Sequence, residues 1–291
     1  MGHEWLGRYS VVSRISLFGK YLPMSTALFL QYAPDGFVIA ADGRSTKEDT
    51  GEITGDSVQK IFKIDGPTRK LAYAMTGALK LESPSGEVSV NLAEETTKAI
   101  NSFSEIDAPS LLEFARTIFG KVYQVVKDAH AAGRIAQLPA MSQPEEPGDV
   151  GETILKTIIC GYFHGRASFV RVRLFHKNNA VKEPDVIDED IRKTWMSGIA
   201  DVSMSLFSGQ PSIYQHYAPY VPKHRMPNMA EIIYMARQYI KACGSPEALK
   251  TNPHVANTIG GRTLIATITP GDGFSWVKGF EPLPSVASPN P

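Results

Sequence analysis

Two ionisable side chains stand where the hydrophobic pattern leaves no room for charge. Asp42 closes the run FVIAA (37–41), and a carboxylate beside a strand that reads as buried is costly unless something pairs with it. In QKIFKID (59–65), period-two alternation puts Lys60, Phe62 and Ile64 on one face and Gln59, Ile61, Lys63 and Asp65 on the other. The second set is the more polar, so Lys60 is expected to point inward with Phe62 and Ile64. Burial lowers a lysine's pKa, and a nearby carboxylate is the usual remedy. Asp42 and Lys60 are therefore two inward ions on consecutive strands that can satisfy each other. Such a pair is either a plain buried salt bridge or a device for moving protons. The residue pattern alone leaves both open.

Other reactive residue types carry less. Cys160 lies inside TIICGYF and reads as a core thiol, not a nucleophile. With Cys243 as the only other cysteine, there is no disulfide framework, and the chain suits a reducing, cytoplasmic setting. His164, His176, His216 and His224 show no metal-ligand spacing. GDGF and the scattered glycines make no phosphate loop. Neither a metal nor an organic cofactor is expected.

The elements that must position Asp42 and Lys60 are mostly hairpins. TALFLQY and FVIAAD flank the turn APDG, QKIFKID and LAYAMTG flank GPTRK, and TILKTIICGYF and ASFVRVRLF flank HGR. A helix is expected over SLLEFARTIFGKVYQVVKDAH, where Ser110 and Glu113 make a capping box and Leu111, Phe114, Ile118, Val122 and Val125 recur at helical spacing. Residues 85–102 also read as helical. Asn228 and Glu231 cap a further helix, MAEIIYMARQYIKAC, and TLIATIT with FSWVKGF closes the chain as a last hairpin around PGDG. Hairpins joined by helix pairs imply two antiparallel sheets packed face to face with helices outside, an αββα sandwich of class α+β.

Composition bounds the rest. The 291 residues hold 30 Lys plus Arg against 30 Asp plus Glu, which leaves no basic surplus for nucleic acid. No stretch approaches the roughly 18 apolar residues of a membrane span. Residues 1–24 read as a leader or propeptide, or as an overlong start with Met24 as initiator; basic groups break their apolar runs, so they make a poor secretory signal. Residues 25–281 are expected to form a single domain carrying an irregular Tyr- and Pro-rich insert at 204–227, and 282–291 a flexible tail.

Five stretches, DGFVIAADGRST, DSVQKIFKI, AYAMTGA, KTIICGYF and the Gly260-Gly261 pair before a strand, occur in an order that resembles proteasome β-type subunits of the N-terminal-nucleophile (Ntn) hydrolase superfamily. The resemblance spans about residues 25–280. It implies a threonine- or serine-type peptidase or amidohydrolase whose nucleophile is the first residue of the mature chain. It also places the family's aspartate at Asp42, its lysine at Lys60, the glycine whose N–H binds the oxyanion at Gly77, and the specificity-pocket residue at Met75. Ungapped counting from Asp42 puts the nucleophile at Thr26; aligning STAL with the family's start puts it at Ser25. A free α-amine titrates near 7.7–8.0, so close to neutrality it can take a proton from the hydroxyl on its own residue. The implied partners are a peptide or amide substrate and further copies of the chain, assembled as a ring.

One part of the family pattern is missing. The late Ser, Asp and Ser that surround the nucleophile's amine fall on Ile199, Ala256 and Ile259, none of which exchanges protons. Ser197, Asp201, Asn257 and Thr258 lie close enough in sequence to substitute with a shifted register. A non-catalytic structural or binding relative and a small-molecule amidase are the competing expectations.

Overall fold

The computed structural model describes residues 26–46, 52–103, 108–139, 151–207, 215–220 and 228–283. The expectations for the leader, for Ser25 and for 284–291 lie outside these residues.

The first hairpin joins β1 (Leu28–Ala33) to β2 (Gly36–Asp42). Every residue of β2 is buried, because its alternate side chains enter different clusters. Val38 and Ala40 face one, Phe37, Ile39 and Ala41 the other. A strand covered on both faces reads as an unbroken apolar run, which is why FVIAA shows no alternation. The short pair β3 (Ser45–Thr46) and β4 (Ile53–Gly55) follows, then the hairpin of β5 (Ile61–Gly66) and β6 (Arg69–Gly77). Lys60, just before β5, is buried as expected, but Ile61, assigned by its polar neighbours to the outer face, is fully buried too. The edge strand is exposed only where its side chains are charged.

Residues 85–102 are not one helix. β7 (Lys80–Glu82) pairs with β8 (Val88–Asn91), and α1 (Leu92–Asn101) starts only after Asn91, whose side chain caps the Glu94 N–H. The alternation of Val88 and Val90 is the signal overlooked. α2 (Leu111–Ala131) forms as the capping box predicts, with Ser110 Oγ accepting from Glu113 N–H. The long hairpin β9 (Glu152–Phe163) and β10 (Arg166–Lys177) is extended by β11 (Ala180–Asp188), a strand the sequence hid behind charges and Pro184. Its turn, Asn178-Asn179, has both φ values positive (52° and 58°), as a two-residue hairpin loop requires. At Gly161 (φ 134°) a Cβ would stand 2.3 Å from Lys70 O, so β9 and β6 approach too closely there for any side chain.

The short strand β12 (Trp195–Ser197) precedes α3 (Ala200–Phe207), so residues 204–207 end a helix instead of opening the insert. Within the insert a 3₁₀ turn (Gln215–Tyr220) is described. Then come α4 (Met229–Cys243), capped by Asn228 onto Glu231 N–H, α5 (Pro246–Thr251), α6 (Pro253–Ala256), and the closing hairpin β13 (Thr263–Thr269) and β14 (Gly273–Trp276).

Pairing yields two five-stranded antiparallel sheets, ordered β12-β1-β2-β13-β14 and β11-β10-β9-β6-β5. One apolar cluster joins Tyr73, Met75 and Ile159 to Phe114, Ile118 and Val122 of α2. A second joins Phe29, Val38 and Ile265 to Ala236, Tyr239 and Ile240 of α4. The third draws from strands of both sheets, with Leu28, Ile39 and Leu264 meeting Ala72, Ile158 and Cys160. The molecule is thus a mixed α+β protein with antiparallel sheets. Lys70, at the start of β6, donates to the carbonyls of Pro270 (2.7 Å) and Gly271 (2.5 Å) in the β13–β14 turn.

Candidate active site

Asp42 ends β2 with no exposed surface, yet its carboxylate is fully engaged. Oδ1 accepts from Ala27 N–H (3.0 Å) and Lys60 Nζ (3.1 Å); Oδ2 accepts from Arg44 N–H (3.1 Å) and Gly260 N–H (3.1 Å). Two backbone segments remote in sequence, at Ala27 and Gly260, therefore converge on the anion together with the neighbouring Arg44 N–H. This is what lets a charge end an apolar strand: four donors replace the water it lost.

Lys60 is 3% exposed and stands where the chain enters β5. Its Nζ touches two acceptors, Asp42 Oδ1 and, at 3.0 Å, Thr26 Oγ1. Burial pushes the Lys60 ammonium below its ordinary pKa; Asp42 pulls it back up, and the positive charge of Arg44 adds to the lowering. Burial likewise pushes the Asp42 carboxyl up, against the pull of Lys60 and the N–H groups of Gly260 and Arg44. A lysine whose proton is loosened in this way, hydrogen-bonded to a hydroxyl, can take up and return that hydroxyl's proton.

Thr26 is 5% exposed, next to Ala27 at the entry to β1. Its hydroxyl is in contact with Lys60; the other candidate, Ser25, lies outside the described residues. Met75 is joined to the group through the backbone, its N–H donating to Lys60 O (3.1 Å), while its side chain is fully buried in the α2 cluster. Gly77, two residues further, ends β6 with φ 103°, a conformation that favours glycine.

Ile199, Ala256 and Ile259 are all buried in the apolar cluster under α4. Of the candidate substitutes, Ser197 and Asn257 are bonded here through backbone carbonyls, and Asp201 and Thr258 through their side chains. Ser197 O accepts from Tyr239 Oη, Asp201 Oδ2 from Asn252 Nδ2 and Asn257 O from Arg44, while Thr258 Oγ1 donates to Val255 O. Cys243 lies under the same sheet, and burial holds its thiol up at about 12; burial raises Cys160 as well. Neither is a nucleophile at neutral pH. His164 bonds to Ala108 O and His176 to Pro139 O; His224 lies outside the described residues. Among the described residues no group of three or more His, Cys, Asp or Glu is placed to hold a metal, and no helix is long and apolar enough to cross a membrane.

Arg44 and Asp56 were missed in the sequence. Arg44 Nε donates to Asp56 Oδ1 (2.8 Å), and Nη1 reaches the carbonyls of Asn257 (3.2 Å) and Ile259 (3.5 Å). The one available signal was position: a cation two residues past a buried carboxylate.

No protein-family model matches the chain, and no curated protein matches it. Among solved structures, the chain is similar to an Anbu mutant from Hyphomicrobium sp. strain MC1. The two are 13% identical with a TM-score of 0.47, over 87% of this chain and 85% of that one.

Proposed function

We propose that this chain is an Ntn-type hydrolase that cleaves peptide or amide bonds, with Thr26 as the nucleophile, on a proteasome-like four-layer αββα sandwich. The observation that carries the reading is the double contact of Lys60, which touches both Thr26 Oγ1 and the carboxylate of Asp42 inside an interior that excludes water. The layer arrangement is supported by the three clusters, one beneath each helix group and one shared by the sheets.

In this reading the bond between Ser25 and Thr26 is cleaved, leaving Thr26 with a free amine. Thr26 Oγ1 gives its proton to that amine or to Lys60 and attacks the substrate carbonyl carbon. The Gly77 N–H meets the oxyanion, an effect worth roughly 2.7–4 kcal/mol per donor in measured cases. Collapse expels the leaving amine, which takes the proton, and leaves an acyl ester on Thr26. Water then hydrolyses the ester by the same route in reverse. The resemblance puts Met75 at the base of the specificity pocket, but its side chain is fully buried in the α2 cluster and it meets the site through its backbone N–H. Two free, buried cysteines suit a reducing cytoplasm. Self-association into a ring belongs to the same reading; in size-exclusion chromatography a ring elutes far ahead of a monomeric small-molecule amidase.

A non-catalytic relative is the second reading, favoured by the apolar Ile199, Ala256 and Ile259. Intact-mass measurement and N-terminal sequencing separate the two. A mature chain that begins at Thr26 is the expected result. One that keeps residues 1–25 has no amine at the site and hands the case to the second reading.

A further inference from the structure

We infer that Arg44 is a positioning residue for the Asp42–Lys60 pair: it grips the 257–260 segment from one side so that the Gly260 N–H stays on the Asp42 carboxylate. Arg44 meets Asp42 twice over. Its backbone N–H donates to Oδ2 directly (3.1 Å), and its side chain holds the other donor to that same oxygen, Gly260 N–H (3.1 Å). The hold consists of Nη1 on the carbonyls of Asn257 and Ile259, the two that bracket the approach to Gly260. The guanidinium also lies flat against Gly260: a Cβ there would meet Arg44 Cζ at 2.8 Å, Nη2 at 2.9 Å and Nη1 at 3.1 Å. A side chain at 260 would displace the guanidinium, and the φ of 151° independently favours glycine there.

The arginine is itself held from outside. Nε pairs with Asp56 Oδ1, and the backbone of Asp56 is tied into the same turn, its carbonyl accepting from Arg262 N–H (2.7 Å). Gly43 N–H donates to Gly260 O (3.1 Å), which closes the turn against the end of β2. Among the described residues, the charges that act on Lys60 are those of Asp42 and Arg44, with Asp56 behind Arg44; the protonated Cys243 thiol lies near Asp42. In the hydrolase reading the Thr26 α-amine stands beside them. A planar guanidinium spreads its donors over a rigid fork that spans two carbonyls on one side and a carboxylate on the other, whereas an ammonium gathers its three donors at one point.

The consequence for turnover rests on the hydrolase reading; the consequence for Lys60 does not. The test is the titration of Lys60 followed by NMR in the full chain labelled at lysine ¹³Cε, with Lys60→Met to assign the signal. In Arg44→Ala the Asp42 carboxylate loses a donor and Lys60 loses a like charge, so its titration moves to higher pH. Gly260→Ala, which drives the guanidinium away, moves it the same way. If cleavage is observed for the wild type, Arg44→Ala lowers kcat about 10²-fold, the scale of a misplaced catalytic group, and its acid limb moves with the Lys60 titration. A folded Arg44→Ala protein whose Lys60 titrates as in the wild type overturns the inference. Arg44→Lys separates grip from charge, because it keeps the cation and loses the fork; a Lys60 titration that stays at its wild-type position there overturns the positioning role, also where Arg44→Ala fails to fold. A wild type that cleaves nothing ends the hydrolase reading and leaves the Lys60 result standing.

Discussion

Asp42 and Ala27 hold each other twice. The carboxylate accepts the Ala27 N–H at 3.0 Å, and the Asp42 N–H donates to the Ala27 carbonyl at 3.1 Å. The residue after Thr26 is fastened on both sides by the anion that also fastens Lys60, so hydroxyl and ammonium share one rigid reference. Asp42 is a structural hub before it is anything else.

That asymmetry predicts unequal costs for breaking the pair. In Lys60→Met the carboxylate keeps three backbone donors. In Asp42→Asn the buried ammonium loses its counter-charge, and the new NH₂ faces backbone N–H groups whichever way the amide turns. Asp42→Asn should lose about 3–5 kcal/mol in urea unfolding at neutral pH, and Lys60→Met less. The reverse order would count against the hub.

If Thr26 is the nucleophile, Thr26→Ala abolishes turnover of a fluorogenic peptide amide, as does Lys60→Ala. Ser25→Ala keeps measurable turnover, because its side chain plays no part after cleavage. Activity that survives in Thr26→Ala and disappears in Ser25→Ala moves the nucleophile to Ser25.

Alkali should unfold the protein in a defined window. Burial raises the Cys243 thiol from 9.0 to about 12 and the Tyr73 hydroxyl from 10.0 to about 12. Groups whose folded pKa is raised stabilise the fold fully below their unfolded values, and that contribution is lost as pH climbs toward the folded ones. The melting temperature should therefore hold up to about pH 9 and fall between about 9 and 12, with a shallower slope in Cys243→Ala. At about pH 8 both thiols should resist a chromogenic disulfide reagent until denaturant is added; a thiol that reacts in the native protein contradicts the buried placement.

Gly161→Ala tests the tight contact between β9 and β6. A Cβ 2.3 Å from Lys70 O and 2.9 Å from Leu71 Cα would push against backbone, and against Ile268 Cγ2 at 3.1 Å. About 1–3 kcal/mol of stability should be lost, seen as a lower melting temperature. A neutral result would mean that the strands part more easily than their register implies.

What was legible in the sequence follows from how each feature is encoded. Asp42 and Lys60 stood out because a charge in an apolar period is a local contradiction, and local contradictions survive in a one-dimensional string. α2 and α4 were legible because Ser110 and Asn228 cap them with side chains. β11 was not: it is an edge strand whose exposed residues are charged, and Asn178-Asn179 was its one mark. The start of α1 was misplaced because Val88 and Val90 signal a strand for only four residues before helix formers take over. Arg44 was invisible for a deeper reason, since its partners at 257 and 259 are carbonyl oxygens, and a carbonyl oxygen leaves no trace in residue type.

At the end of β6 away from Gly77, Lys70 spans from one sheet to the turn of the other, just as Lys60 does near the Thr26 end. The two sheets are thus tied at two separate places, by the ammonium groups of Lys60 and Lys70. Sheets tied in this way resist parting, so in the proposed hydrolase a substrate is expected to approach Thr26 along the rim and not between the two slabs.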